Sequence, residues 1–110
     1  MRQESKIDRE IRETILECLE DVVGVPREYW EQKRSKKKEE VIVRQIYIYM
    51  LCELTEKTKQ EIADICRLKY HTSVIRTHRI VDVWKKQKEN YPYQNLIITK
   101  AFEKYEQRNS

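Results

Sequence analysis

The sequence is poor in the residues that make tight turns, with 1 Gly and 2 Pro in 110 residues. A β-sandwich or β-barrel needs many such turns, so an all-β fold is excluded. No run approaches the roughly 18 apolar residues of a membrane span. The polar start at residues 1–5 also lacks the apolar core of a signal peptide. We therefore expect a cytoplasmic chain of one domain, residues 1–110, with no membrane partner.

Residue patterns typical of catalysis and metal binding are also missing. Three cysteines, Cys18, Cys52 and Cys66, cannot all pair, and no Cys-x-x-Cys occurs. We expect them to be reduced thiols in the core. The sequence has no Ser-His-Asp spacing, Gly-rich phosphate loop or metal-ligand cluster. We expect no enzyme activity, cofactor, metal or small-molecule substrate.

Positive charge is concentrated in two short blocks. Residues 33–38 carry a net charge of +5 and residues 67–88 carry +6, whereas residues 1–32 carry −4 and 39–66 carry −3. A surface needed only for solubility mixes its signs. Segregated positive charge favours a polyanionic partner, nucleic acid before an anionic membrane.

Apolar periodicity predicts an all-α bundle. The predicted helices cover about residues 6–23, 26–31, 39–54, 58–66, 71–88 and 94–107. Ser5 and Gly24 are the expected caps of the first helix. The helix over 39–54 is apolar nearly all round, so it should be the central, most buried one.

Three apolar patterns predict how the other helices pack. The first helix should bury one stripe, and Tyr29 and Trp30 should pack the short helix back onto it. The last helix should use its own stripe to close the core or to form a homodimer. The two stripes are Ile7, Ile11, Ile15, Leu19 and Val22, and Leu96, Ile97, Ala101, Phe102 and Tyr105.

A helix-turn-helix is predicted at residues 58–88. Thr58 and Glu61 have the spacing of a capping box that starts its first helix, and the second helix opens at His71. In this motif the amino end of the second helix enters the major groove. That end is rich in groups that hydrogen-bond bases and phosphates, namely Lys69, Tyr70, His71, Thr72, Ser73, Arg76 and Arg79.

From Trp30 to Trp84 the sequence resembles the C-terminal DNA-binding domain of the bacterial replication initiator DnaA, in the superfamily of the trp repressor. Ordered blocks carry the resemblance: the basic loop, the Arg-Gln pair in the long helix, Glu-Leu-Thr, Glu-Ile-Ala and Lys-Tyr-His-Thr-Ser-Val. In the chain these are 33–38, 44–45, 53–55, 61–63 and 69–74. The helix over 93–107 lies outside the resemblance.

The resemblance implies a division of DNA contacts. His71, Thr72 and Ser73 would contact bases and phosphate in the major groove. The basic loop would enter the adjacent minor groove; its residues are Lys33, Arg34, Lys36, Lys37 and Lys38. Contacts to the DNA backbone would come from Arg44, Gln45, Thr58 and Lys59.

Three departures from the family pattern qualify this interpretation. The family's signature Asp, which reads a base, is Tyr70 here, and the glycines of its turn are Arg67 and Leu68. The 110 residues also contain no Walker-type phosphate loop, so we expect no ATPase domain with the motif. We therefore expect a stand-alone, nucleoid-associated regulator of replication or transcription that binds double-stranded DNA. The alternative is a protein adaptor or dimerisation module that keeps the helical fold but does not read DNA.

Overall fold

The computed structural model describes residues 4–32 and 36–109, and throughout these ranges the regular structure is helical. The all-α prediction is confirmed. The helices are α1 (Lys6–Val23), a 3-10 helix (Arg27–Tyr29), α2 (Lys38–Leu54), α3 (Lys59–Ile65), α4 (His71–Lys86) and α5 (Pro92–Arg108).

The predicted caps set the helix ends. The Ser5 hydroxyl accepts from the Asp8 N–H at 3.1 Å, and Gly24 ends α1 in the left-handed conformation at φ +69°. Thr58 and Glu61 form the reciprocal capping box at the start of α3. The two N-terminal caps, at Ser5 and Thr58, contribute about 1 kcal/mol each, because they satisfy amides that a helix start leaves unpaired. Pro92 occupies the first turn of α5, a position that its fixed φ favours.

Helix α2 is the centre of the bundle, as predicted. It packs against α1, α3, α4 and α5. Its buried residues run from its second turn almost to its end, and they occur on every side of the helix because other helices surround it: Ile42, Val43, Arg44, Ile46, Tyr47, Ile48, Tyr49, Met50 and Leu51.

The start of the α1 stripe was predicted wrongly. Ile15, Leu16 and Leu19 are fully buried, but Ile7 is 70% exposed. Ile7 lines the rim of a groove with Ile11 and Leu54, at the level where α2 ends. The first turn of α1 therefore lies beside the carboxyl end of α2, and Ile7 stays open to solvent there.

Only one of the two aromatic residues after α1 enters the core. Trp30 is fully buried, meets the Tyr47 ring edge-on at 5.8 Å and donates its indole N–H to the Val25 carbonyl at 2.9 Å. Tyr29 is exposed, so its predicted packing was wrong. The short segment is held onto α1 instead by Arg27, which bonds Glu13 at 2.6 Å and Glu20 at 2.8 Å.

Helix α5 packs along α1 and closes the core. Ile97, Ile98 and Ala101 are buried, whereas Leu96 is 54% exposed, so its place in the predicted stripe was wrong. Each residue advances an α-helix by about 100°. A buried face centred on Ile97 and Ile98 therefore turns Leu96 towards solvent.

A partly buried ion-pair network fastens the start of α1 to the turn between α2 and α3. The Glu4 carboxylate accepts two hydrogen bonds from Arg12 at 3.0 Å and lies 2.7 Å from the Lys57 ammonium, whose side chain is 3% exposed. The Arg12 hydrogen bonds, followed by Lys57, lower the pKa of Glu4 to about 2. Sequence patterns did not predict this network, because its members are far apart in the chain.

The first prediction compares two adjacent residues of α5. Ile97→Ala should lower the free energy of unfolding by about 2–4 kcal/mol, because it opens a cavity between α5 and the core. Leu96→Ala, the matched control, should change it by less than about 0.5 kcal/mol. Urea unfolding followed by circular dichroism measures both, and equal losses would contradict the described orientation of α5.

The second prediction concerns the pH dependence of stability. A carboxylate whose pKa is lowered by folding stabilises the fold at pH values above 4.5, which is its pKa in the unfolded chain. It loses that effect as the pH falls through about 2, its pKa in the folded chain. Glu4→Gln should therefore unfold more easily than wild type at pH 7, by up to about 3 kcal/mol. The difference should vanish near pH 2.

The control for this prediction is Glu10→Gln, which neutralises an exposed carboxylate of α1, the helix that follows Glu4. Its stability should follow wild type at all pH values. A stability difference for Glu4→Gln that stayed constant from pH 7 to 2 would rule out proton linkage at Glu4.

Candidate nucleic-acid interface

The turn between α3 and α4 is set by a left-handed residue that is not glycine. Arg67 has φ +57°, the one positive value among the described non-glycine residues. Its N–H donates to the Asp64 carbonyl at 3.2 Å, and the Leu68 N–H donates to the Ala63 carbonyl at 2.8 Å. This pair of bonds is a Schellman motif, which stops α3 and redirects the chain.

The turn has both buried and exposed residues. Cys66 is fully buried and Leu68 packs against the core, whereas Arg67 projects into solvent. We did not predict Arg67 as a site residue. The available signal was its place opposite a glycine of the DnaA pattern, since such glycines often adopt positive φ.

Helix α4 has one packed face and one open face. Val74, Thr77, Val81 and Trp84 are buried against the bundle. The open face holds most of the predicted recognition residues: His71, Thr72, Arg76 and Arg79 are exposed, and Ser73 is half-buried. The structure thus brings these five side chains to one end and one side of α4.

The amino end of α4 is open to an anion. Tyr70 is its N-cap residue and makes no side-chain cap, so the first amides of α4 lack a side-chain acceptor. Helix N-termini carry partial positive charge and bind phosphate through such amides. The Lys69 ammonium adds charge there and lies 5.3 Å from the centre of the Tyr70 ring.

The residue that precedes the second basic element lies at the end of α3. Lys36, Lys37 and Lys38 are exposed, while Lys33 and Arg34 lie outside the described residues. Just before them, the Gln32 amide lies 3.5 Å from the Ile65 carbonyl in the last turn of α3. Gln32, the last described residue before the basic segment, therefore lies beside the helix-turn-helix.

Arg44 lies beneath Gln32, the residue before the basic segment. It is 7% exposed, and it donates to the Gln32 carbonyl at 3.4 Å. Burial lowers the pKa of Arg44. Of the other predicted backbone contacts, Gln45 is half-buried, Lys59 is exposed, and the Thr58 hydroxyl accepts from the Glu61 N–H.

The remaining reactive side chains are packed. All three thiols are free; Cys18 and Cys66 are buried and Cys52 is half-buried, and burial raises the pKa of Cys66 to about 12. His78 stacks on the Tyr49 ring at 4.8 Å. Residues 4–32 and 36–109 hold no cluster of three metal-ligating side chains, and none of their helices has the length and apolarity to cross a membrane.

A comparison with protein families matches residues 12–81 to the bacterial dnaA protein helix-turn-helix. The chain belongs to this family. The DnaA match runs from α1 through most of α4, so it includes both helices of the motif, and it ends before α5. Searches of curated proteins and of solved structures found no match. Membership of the DnaA family implies binding to double-stranded DNA, and this is not an enzyme family.

The third prediction tests the DnaA-type turn. Arg67→Gly should raise the free energy of unfolding by about 0.5–1 kcal/mol, because a left-handed non-glycine residue is strained. The midpoint of thermal unfolding should rise by about 2–5 °C. The control Arg67→Ala removes the same charge but keeps the strain, so it should not be stabilised. An alanine variant as stable as the glycine variant would show that φ at this position carries no strain.

Proposed function

We propose that this chain is a sequence-specific DNA-binding protein that regulates replication or transcription in bacteria, at the nucleoid. Helix α4 lies in the major groove and the basic segment 33–38 enters the adjacent minor groove. The role requires no nucleotide hydrolysis, and the sequence, with its single glycine, has no Walker-type phosphate loop.

The observation that carries this proposal is the difference between the arginines that pair with a carboxylate and those that do not. Arg9, Arg12, Arg27 and Arg108 each lie within 4.0 Å of a carboxylate. Arg67, Arg76 and Arg79, on the helix-turn-helix, have no such partner in the described part of the chain, and all three are exposed. Their charge is left available to an external polyanion.

The shape of α4 supports major-groove entry. Thr72, Arg76 and Arg79 follow one another at spacings of four and three, so they form one stripe. No other helix covers this stripe, since its members remain exposed. Arginine hydrogen-bonds guanine with two N–H groups, and the threonine methyl fits the thymine methyl, so the stripe is suited to reading base edges.

The position of Gln32 supports the role of the basic segment. Gln32 contacts the end of α3, and six residues later the chain enters α2 at Lys38. Six residues span at most about 20 Å. A minor groove next to the major groove occupied by α4 is within that reach, and lysine and arginine are attracted to its negative potential.

The same placement of α4 and the basic segment on the duplex suggests contacts with the DNA backbone. We assign phosphate contacts to Lys59, Thr58 and Gln45 around the start of α3 and on α2. Because Arg44 is buried under Gln32, we assign it the positioning of the segment that leads into the basic loop. A homodimer through α5 would use Tyr93 and Leu96, which are the exposed apolar residues of that helix.

The fourth prediction is that the chain binds duplex DNA with steep salt dependence. If about five phosphates are neutralised, a plot of log affinity against log salt should have a slope near −4.5. Fluorescence anisotropy with a labelled duplex measures the slope. Absence of binding at low salt would end the DNA proposal in favour of a protein adaptor.

The fifth prediction separates the two DNA contacts. Arg34→Ala with Lys36→Ala should weaken binding to all sequences alike and make the slope shallower by about 2. His71→Ala or Thr72→Ala should change sequence preference by about 1–3 kcal/mol per lost base contact. Sites selected from random duplexes measure preference, and palindromic sites would reveal two bound copies.

The matched control is Lys6→Ala with Lys100→Ala, which removes two exposed positive charges from α1 and α5. It should leave the slope nearly unchanged. Equal effects of the control pair and the loop pair would mean that binding depends on net charge alone.

A further inference from the structure

Tyr70 is a large aromatic residue left open in the middle of the cationic turn. Its side chain is 57% exposed, whereas Trp30, Tyr47, Tyr49 and Trp84 are buried. Its hydroxyl makes no hydrogen bond within residues 4–32 and 36–109. Packing of the fold therefore does not explain an aromatic residue at this position.

The backbone and the neighbouring lysine fix where this ring lies. Tyr70 is extended, at φ −130° and ψ 146°, and its carbonyl accepts from the Ser73 N–H at 3.1 Å. The Lys69 ammonium lies 5.3 Å from the ring centroid, within the range of a cation–π interaction. The ring thus stands directly before the first turn of α4, beside the exposed His71 and Thr72.

A neutral aromatic ring favours contact with one particular kind of group in the major groove. The aspartate of the family pattern at this position carries a carboxylate, which only accepts hydrogen bonds and so favours the amino group of cytosine. A tyrosine ring offers an apolar surface instead. The one apolar group on the major-groove edges is the C5-methyl of thymine, which 5-methylcytosine shares.

We infer that Tyr70 is a specificity-determining residue that reads a C5-methyl group in the major groove. This inference rests on the proposed function, because it requires α4 to lie against base edges. The target site then contains a thymine next to the amino end of α4, and 5-methylcytosine replaces that thymine better than cytosine does.

The test uses the full 110-residue chain and the site that it selects from random duplexes. Each thymine of the site is replaced in turn by deoxyuridine, which lacks only the methyl group. Wild type should lose affinity about fourfold at one thymine, the factor that corresponds to about 0.8 kcal/mol for one buried methyl-sized group. The wild-type result alone refutes the inference if no thymine shows a loss.

Variants assign the effect to Tyr70. Tyr70→Ala should bind the thymine and deoxyuridine sites equally, and Tyr70→Phe should keep the fourfold difference. Tyr29→Ala, the matched control, removes a similarly exposed tyrosine that lies outside the helix-turn-helix, and it should also keep the difference. The inference is overturned if Tyr70→Ala keeps the difference or if Tyr29→Ala abolishes it.

Failure of the inference and failure of the proposed function give different results. Binding with no deoxyuridine effect, or binding that selects no site, overturns the role of Tyr70 and leaves DNA binding in place. No binding at low salt overturns both. Unchanged midpoints of thermal unfolding for the variants show that a lost effect does not come from a lost fold.

Discussion

The enclosure of α2 by its neighbours is the constraint on which the rest of the structure depends. Tyr47 and Tyr49, two residues apart on this helix, contact two different parts of the molecule. Tyr47 holds Trp30, which anchors the segment before the basic block. Tyr49 stacks on His78 of α4 and accepts from Lys85 at 2.8 Å. Both proposed DNA-contacting elements are therefore positioned by side chains of one buried helix.

The positively charged side chains form two groups, according to whether they pair with a carboxylate. Arg12, Arg27, Lys57 and Arg108 connect helices or loops by pairing with carboxylates, so their charge is used within the fold. The acidic residues of α1 supply most of these partners. Within residues 4–32 and 36–109, the exposed arginines of the turn and of α4 have no carboxylate within 4.0 Å. Positive charge is therefore left unpaired at the helix-turn-helix although the net charge is only +4.

Helix α5 lies outside the DnaA family match but belongs to the core. It packs chiefly on α1, through Ile97, Ile98 and Ala101, and the Asn95 amide donates to the Trp84 carbonyl of α4 at 2.7 Å. Arg108 pairs with Glu17 and Asp21 of α1. Helix α5, which the family match does not reach, thus stabilises α1 and the carboxyl end of α4, and it leaves the amino end of α4 uncovered.

Local features of the sequence determined the helices and their ends. Apolar spacing, the caps at Ser5 and Gly24, and the Thr58–Glu61 box act within a few residues, so their outcome is visible in the sequence. The open face of α4 followed from the same periodicity. Tertiary structure alone decided that Ile7, Tyr29 and Leu96 stay exposed, since burial depends on whether another helix reaches the position. It also decided the Glu4–Lys57 pair and the place of Arg44 under Gln32, because these contacts join residues that no sequence period relates.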